Sequence, residues 1–204
     1  MTKILNEHIW KTQTAQENMS DPILRIFAGP NGSGKSTITK TIPTCGTYIN
    51  PDDMAKNYSL TIEDVRDLAE KQRYELISKK NDLTYETVFS TDRHLFFLKN
   101  AKAKGYEVQC YYILTHNPDI NVARVRARVL AGGHDVPEEK IRSRYEKAIK
   151  LLPKIIDLCD RIYIIDNSLG ADEQLIIFKK DEDGILYFPN ELWPLKKLKK
   201  LLCH

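Results

Sequence analysis

The chain has 204 residues, with 31 Lys and Arg against 28 Asp and Glu, a formal net charge of +3. That length suits one domain with a real core, and the mild, well-mixed charge excludes the strongly basic face of a dedicated DNA-binding protein. Cys45, Cys110, Cys159 and Cys203 lie far apart without CxxC or zinc-ligand spacing and read as reduced thiols, with Cys110 and Cys159 buried.

Residues 1–20 are polar apart from Ile4, Leu5, Ile9 and Trp10, a spacing that suits a short helix packed outside the domain. They lack a secretory apolar core, and no run approaches the ~20 apolar residues of a membrane span. The chain therefore reads as cytoplasmic. Ile23–Ala28 is a short, mostly apolar run before a Gly-rich turn, the pattern of a buried strand. A helix is expected over 35–41, and Thr47–Asn50 reads as a strand end. Apolar positions at Val65, Leu68, Ala69, Tyr74 and Leu76 predict a helix over 61–79. Leu83–Ser90 reads as a strand and Asp92–Lys104 as a helix, with Gly105 as its C-cap.

Tyr106–Thr115 is rich in aromatic and β-branched residues and predicts a strand. Pro118 opens a helix to about Ala131, and 132–137 is a punctuated loop. Pro137–Lys150 reads as a further helix, with Glu138 and Glu139 in its first turn. Arg161–Ile165 is a strand ending at Asp166-Asn167-Ser168. The alternation over 23–168 predicts an α/β fold with a mostly parallel, five-stranded central sheet flanked by helices. Leu175–Lys180 and Ile185–Phe188 add a C-terminal β-hairpin around the turn at 181–184, and a Leu/Lys-rich helix closes the chain. The whole, 1–204, reads as one domain: an extension over 1–20, a core over 22–168, and a tail over 175–204.

Gly29-Pro30-Asn31-Gly32-Ser33-Gly34-Lys35-Ser36 fits G-x-x-x-x-G-K-[ST] at every fixed position. The glycines let backbone N–H groups cradle phosphates, Lys35 neutralises β- and γ-oxygens, and the Ser36 hydroxyl is a Mg²⁺ ligand. The following helix aims its positive end at the same place. This motif specifies a nucleoside triphosphate and leaves the reaction open.

A kinase also needs a carboxylate to accept or orient the acceptor hydroxyl. Asp52 lies where such a group belongs, at the end of the second strand, although Pro-Asp-Asp is equally a turn sequence. Asp53 reads as a cap for the next helix. Glu86, near the end of the third strand, is a candidate for substrate hydroxyls, with a solvated strand-end charge as the alternative. Between 121 and 150 stand eight Lys or Arg and four acids. Arg124 and Arg128 share a helical face, and a Gly-Gly loop separates them from Arg144. These three fit a lid over a transferring phosphoryl group. Arg126 and Lys147 read as solvated, and the interleaved acids count against a nucleic-acid surface. His134 has no partner at ligand spacing, which argues against a metal site there.

The chain resembles the compact bacterial members of the zeta toxin family of P-loop kinases. The matching stretches are Ala28–Thr37, Ile49-Asn50-Pro51-Asp52, Tyr85-Glu86-Thr87, Arg124–Tyr145 and Ile165–Ser168. The segment Gly132–Pro137, followed by Ile141-Arg142-Ser143-Arg144-Tyr145, is the most specific. The resemblance implies phosphoryl transfer from Mg·ATP to a sugar hydroxyl, with UDP-N-acetylglucosamine as the best-known family substrate. It implies that Asp52 is the catalytic base and that Glu86 and Thr87 contact substrate. Lys35, Arg124, Arg128 and Arg144 would stabilise charge, with Gly29 to Thr37 around the nucleotide. An antitoxin protein is an implied partner. The sequence departs from the larger toxins in its short lid, in Asn50, and in Val88. Another small acceptor, such as an antibiotic, nucleoside or nucleotide, is an alternative, as is a nucleotide-dependent switch without an acceptor.

Overall fold

The computed structural model describes residues 21–57, 61–170 and 173–202. The helix expected within 1–20 and the thiol of Cys203 lie outside the described residues. In chain order the elements are β1 (Ile23–Ala28), α1 (Lys35–Ile38), β2 (Thr47–Ile49), α2 (Pro51–Asn57), α3 (Ile62–Ser78), β3 (Leu83–Thr87) and α4 (Arg93–Ala103). There follow β4 (Glu107–Leu114), α5 (Pro118–Leu130), α6 (Glu138–Leu158), β5 (Arg161–Asp166), β6 (Leu175–Asp181), β7 (Gly184–Tyr187) and α7 (Leu195–Leu202).

Among the described residues the strands form one sheet of 7 in the order β2-β3-β1-β4-β5-β6-β7. The first five are parallel, as the alternation of strand and helix requires. The C-terminal hairpin pairs antiparallel with β5 and extends that same sheet. Its pairing places Ile177 and Phe178 in the core, which anchors the hairpin.

β1 is buried on both faces because it is central. Leu24, Ile26 and Ala28 face the larger core, built with Ala69 and Ile77 of α3, Phe97 and Leu98 of α4, Leu152 and Ile155 of α6, and Leu198 of α7. Phe27 faces a smaller cluster under Ile38 and Ile42, where Phe27, Tyr111 and Tyr163 stack across three strands with centroids 5.4 Å apart at each step. From β1 the chain runs out to β2, then crosses from β3 to β4 on the opposite side of β1. The carboxyl ends of β1 and β3 therefore open into the crevice where such sheets bind ligands.

Several boundaries differ from expectation for identifiable reasons. α6 runs to Leu158 and carries Pro153 inside it. Burial of Ala148, Leu152, Ile155 and Ile156 along one face outweighs the hydrogen bond the proline removes. β3 stops at Thr87 because Phe89 adopts a φ of 54°, a left-handed conformation that cannot continue a strand. α1 is only four residues long and ends in a turn closed by Ile42 N–H to Ile38 O at 3.1 Å. A helix, α2, occupies Pro51–Asn57, so Asp53 lies inside it rather than capping the next one. That cap is Thr61, whose hydroxyl accepts from Asp64 N at 3.2 Å. Among the described residues no helix is long and apolar enough to cross a membrane.

Candidate active site

The loop from Gly29 to Ser36 joins β1 to α1 in a shape only glycine supports. Gly29, Gly32 and Gly34 have φ of 142°, 76° and 97°. A Cβ on Gly34 would stand 2.1 Å from Asn167 Nδ2, and one on Gly32 would stand 2.5 Å from the Asn121 carbonyl oxygen. Three elements clamp the loop. Gly29 N–H donates to Thr87 O of β3 at 3.2 Å. Asn121 Nδ2 of α5 donates to Asn31 O at 2.7 Å. Asn167 Nδ2, just after β5, donates to Ser33 O at 2.7 Å. The Thr115 hydroxyl bonds the Asn121 side-chain oxygen, which leaves the Asn121 amide group free to donate. Ser33 Oγ is buried with no partner among the described residues.

Lys35 folds back on this loop, donating to Gly29 O at 2.7 Å and to Pro30 O at 3.2 Å. Desolvation lowers its pKa to about 8, against the attraction of Glu86 and Asp52 and with a smaller push from Arg128. Ser36 and Thr37 follow, both exposed, in the first turn of α1.

A cleft of about 800 Å³ runs from this loop along the carboxyl edge of the sheet. It brings together Asn31, Gly32, Gly34, Lys35, Ser36, Thr37, Asp52, Glu86, Thr87, Arg124, Arg128 and Arg144. Gly29, Pro30 and Ser33 belong to the same loop but do not line the cleft.

Asp52 is exposed in the first turn of α2, where the helix dipole favours a carboxylate. Asn50 builds this corner. Its Oδ1 accepts from Asp52 N at 3.0 Å, and its Nδ2 donates to Asp53 Oδ2 at 3.0 Å and to Tyr48 Oη at 3.2 Å. Tyr48 in turn donates to Glu86 Oε1 at 2.6 Å. Burial and the Glu86 carboxylate both push the Tyr48 hydroxyl well up, so it remains a donor. Glu86 is thus held by one oxygen at the end of β3. Thr87 Oγ1 accepts from Phe89 N at 3.1 Å and contacts His94 Nε2 at 3.0 Å. Burial, then Arg73 and Arg93, drop the His94 pKa to about 3, so that imidazole is neutral.

The three arginines reach the cleft along different routes. Arg124 donates to Asn167 O at 2.8 Å, Arg128 to His134 O at 2.7 Å, and Arg144 to Asn31 Oδ1 at 3.2 Å. Desolvation lowers the pKa of Arg124 and of Arg144, the latter also through Arg66. Arg126 instead pairs outward with Glu138 at 2.5 Å, and Arg142 pairs with Asp119 and Glu138.

Sequence reasoning passed over Asn121, Tyr48, His94, Arg66 and Arg73. Asn121 left a trace, as a polar residue in the apolar stripe of α5 beside Val122 and Val125. Arg73 left the same kind of trace in α3, at the spacing of Val65, Ala69 and Ile77. Tyr48 and His94 had none, because their partners come from other elements.

The family model described as "Zeta toxin" matches residues 40–172, starting after the phosphate loop. An uncharacterised protein of Haemophilus influenzae is 28% identical over an alignment of 126 residues that covers 59% of this chain and 90% of that protein. Among solved structures, the AvrRxo1-ORF1:-ORF2 complex superposes with a TM-score of 0.69 at 18% identity, covering 89% of this chain and 63% of that one. This chain therefore spans less than two thirds of that relative's length. The toxin–antitoxin system PezAT of Streptococcus pneumoniae superposes with a TM-score of 0.58 at 19% identity, over 98% of this chain and 84% of that one. These likenesses show a shared α/β fold.

Proposed function

From the premise that this chain belongs to the zeta toxin family, we propose that it transfers the γ-phosphoryl group of ATP to a hydroxyl of a small molecule. The observation that carries this reading is one cleft joining a glycine phosphate loop and its lysine to Asp52, Glu86 and three arginines. The left-handed glycine loop clamped by Asn121 and Asn167, with Gly32, Gly34 and the Lys35 ammonium lining the cleft, has the donor set that fits a bound triphosphate. The exposed Ser36 hydroxyl fits Mg²⁺, which when bound with ATP neutralises phosphate charge.

Lys35 exchanges its bonds to Gly29 O and Pro30 O for phosphate oxygens, whose charge adds to that of Glu86 and Asp52 in favouring its ammonium. Asp52 receives the proton of the acceptor hydroxyl as the new O–P bond forms and the γ-phosphorus bond to the bridging oxygen breaks. Glu86, fixed through Tyr48, holds another hydroxyl of the acceptor with its remaining oxygen, beside Thr87. Arg124, Arg128 and Arg144 gather the charge on the transferring group, Arg144 from its place on Asn31. The gain comes from positioning and charge neutralisation.

The acceptor we favour is a UDP-amino sugar of the UDP-N-acetylglucosamine type, from the family resemblance of the motifs around Asp52 and Glu86. PezAT is a toxin–antitoxin system, and a protein antitoxin that covers the cleft is the partner we propose by the same likeness. Incubation with Mg·ATP and a panel of UDP-sugars, nucleosides and phenicol- or aminoglycoside-type alcohols tests the function. Mass spectrometry should show one phosphoryl group gained by a UDP-sugar. Gain on a non-sugar alcohol alone would reassign the acceptor, and ATP hydrolysis without any transfer would remove the kinase reading.

A further inference from the structure

α3 carries a core stripe at every fourth residue: Val65 is 2% exposed, Ala69 0% and Ile77 0%. The remaining position of that stripe is Arg73, 5% exposed. Its guanidinium lies over the rings of Tyr85 and Phe97, 5.0 and 5.4 Å from their centroids. Its Nε is buried and bonded to nothing among the described residues. The side chain nevertheless lines the cleft. A buried cation without a counter-ion is strongly unfavourable, and the aromatic faces compensate only in part. The nearby acid on α3, Glu70, is already engaged by Arg93 at 3.0 Å. Arg66, two turns before Arg73 on α3, also lines the cleft and is exposed. Together the two arginines put positive charge on the α3 side of the cleft.

We propose that Arg73, assisted by Arg66, is a specificity-determining residue that receives an oxyanion of the acceptor, a phosphoryl or carboxylate group separate from the hydroxyl that reacts. The inference rests on the kinase reading and deepens it: the acceptor is an anionic alcohol, and neutral or cationic alcohols lack the group this wall is built to hold. The planar guanidinium, braced on two rings, presents its remaining N–H groups in a fixed fork suited to such an oxyanion.

Calorimetric titration of the full chain tests this. AMP-PNP with Mg²⁺ first saturates the phosphate loop, and its own one-to-one isotherm reports the nucleotide site. Inorganic phosphate and, separately, malonate are then titrated into the loaded protein, so that the two arms distinguish a phosphoryl from a carboxylate preference. The expected result is one further site for at least one of them, weakened about tenfold or more in Arg73→Met and less severely in Arg73→Lys. Met keeps the apolar contact with both rings, so a purely structural Arg73 would leave oxyanion affinity unchanged. Arg66→Met, at an exposed position that folding does not need, should also weaken the site. Absence of a second oxyanion site, or equal affinity in the parent and both Met variants, would overturn the proposal while leaving the kinase reading standing. Failure to bind AMP-PNP would overturn both.

Discussion

At the scale of single residues, the cleft is a place where charge is held out of balance. Lys35 has its pKa lowered to about 8 because desolvation outweighs its two carboxylate neighbours. Its unfolded value is near 10.5, so between pH 8 and 10.5 the unfolded chain binds more protons and stability rises with pH through this group. The free protein should therefore be less stable than Lys35→Met at pH 7, with the gap closing toward pH 10, as melting curves at the two pH values will show. Nucleotide affinity should run the opposite way, falling above about pH 8 as the ammonium is lost, with no such decline in Lys35→Met. The Gly34 backbone makes a second prediction. A Cβ there meets Asn167 Nδ2 at 2.1 Å from a φ of 97°. Gly34→Ala should thus abolish ATP binding measured by titration while leaving most of the fold intact.

At the scale of elements, strand ends and helix starts carry the candidate site, and this decides what the sequence could reveal. The phosphate loop was legible because its residues are consecutive. The core strands were legible because β1 and β5 are mostly apolar and β4 is rich in aromatic and β-branched residues. Asp52 was identified by its place after β2, yet the helix that holds it went unseen: Pro51–Asn57 is too short to show a period. Asn50 looked like a departure from the family pattern. In the fold it ties Asp52, Asp53 and Tyr48 together, so Asn50→Ala should loosen the corner and lower turnover about tenfold or more while ATP affinity holds. Helix capping was hidden in the same way. Thr61 closes α3 through Asp64, and Thr61→Ala should cost about 1 kcal/mol by denaturant titration.

At the scale of the whole molecule, the tail is part of the main core. Phe178, Trp193, Leu198 and Leu202 pack in the same cluster as Leu24 and Tyr85. The sequence showed a hairpin, but not that it would prolong the sheet, because strand order depends on contacts between distant segments rather than on any local pattern. Trp193 is 2% exposed with Lys197 over its ring at 4.2 Å. Trp193→Ala should therefore cost about 3–5 kcal/mol and lower the melting temperature of the entire chain in one cooperative transition. A separate early melting step for the tail would show that it is an independent unit.

The central claim is that Asp52 acts on an acceptor hydroxyl beside a bound triphosphate. The measurement that tests it most directly is the turnover number for phosphoryl transfer in Asp52→Asn, set beside its dissociation constant for ATP. The account predicts that kcat falls by about a hundredfold to ten-thousandfold while ATP binds as tightly as in the parent. Transfer at an undiminished rate in Asp52→Asn would contradict it.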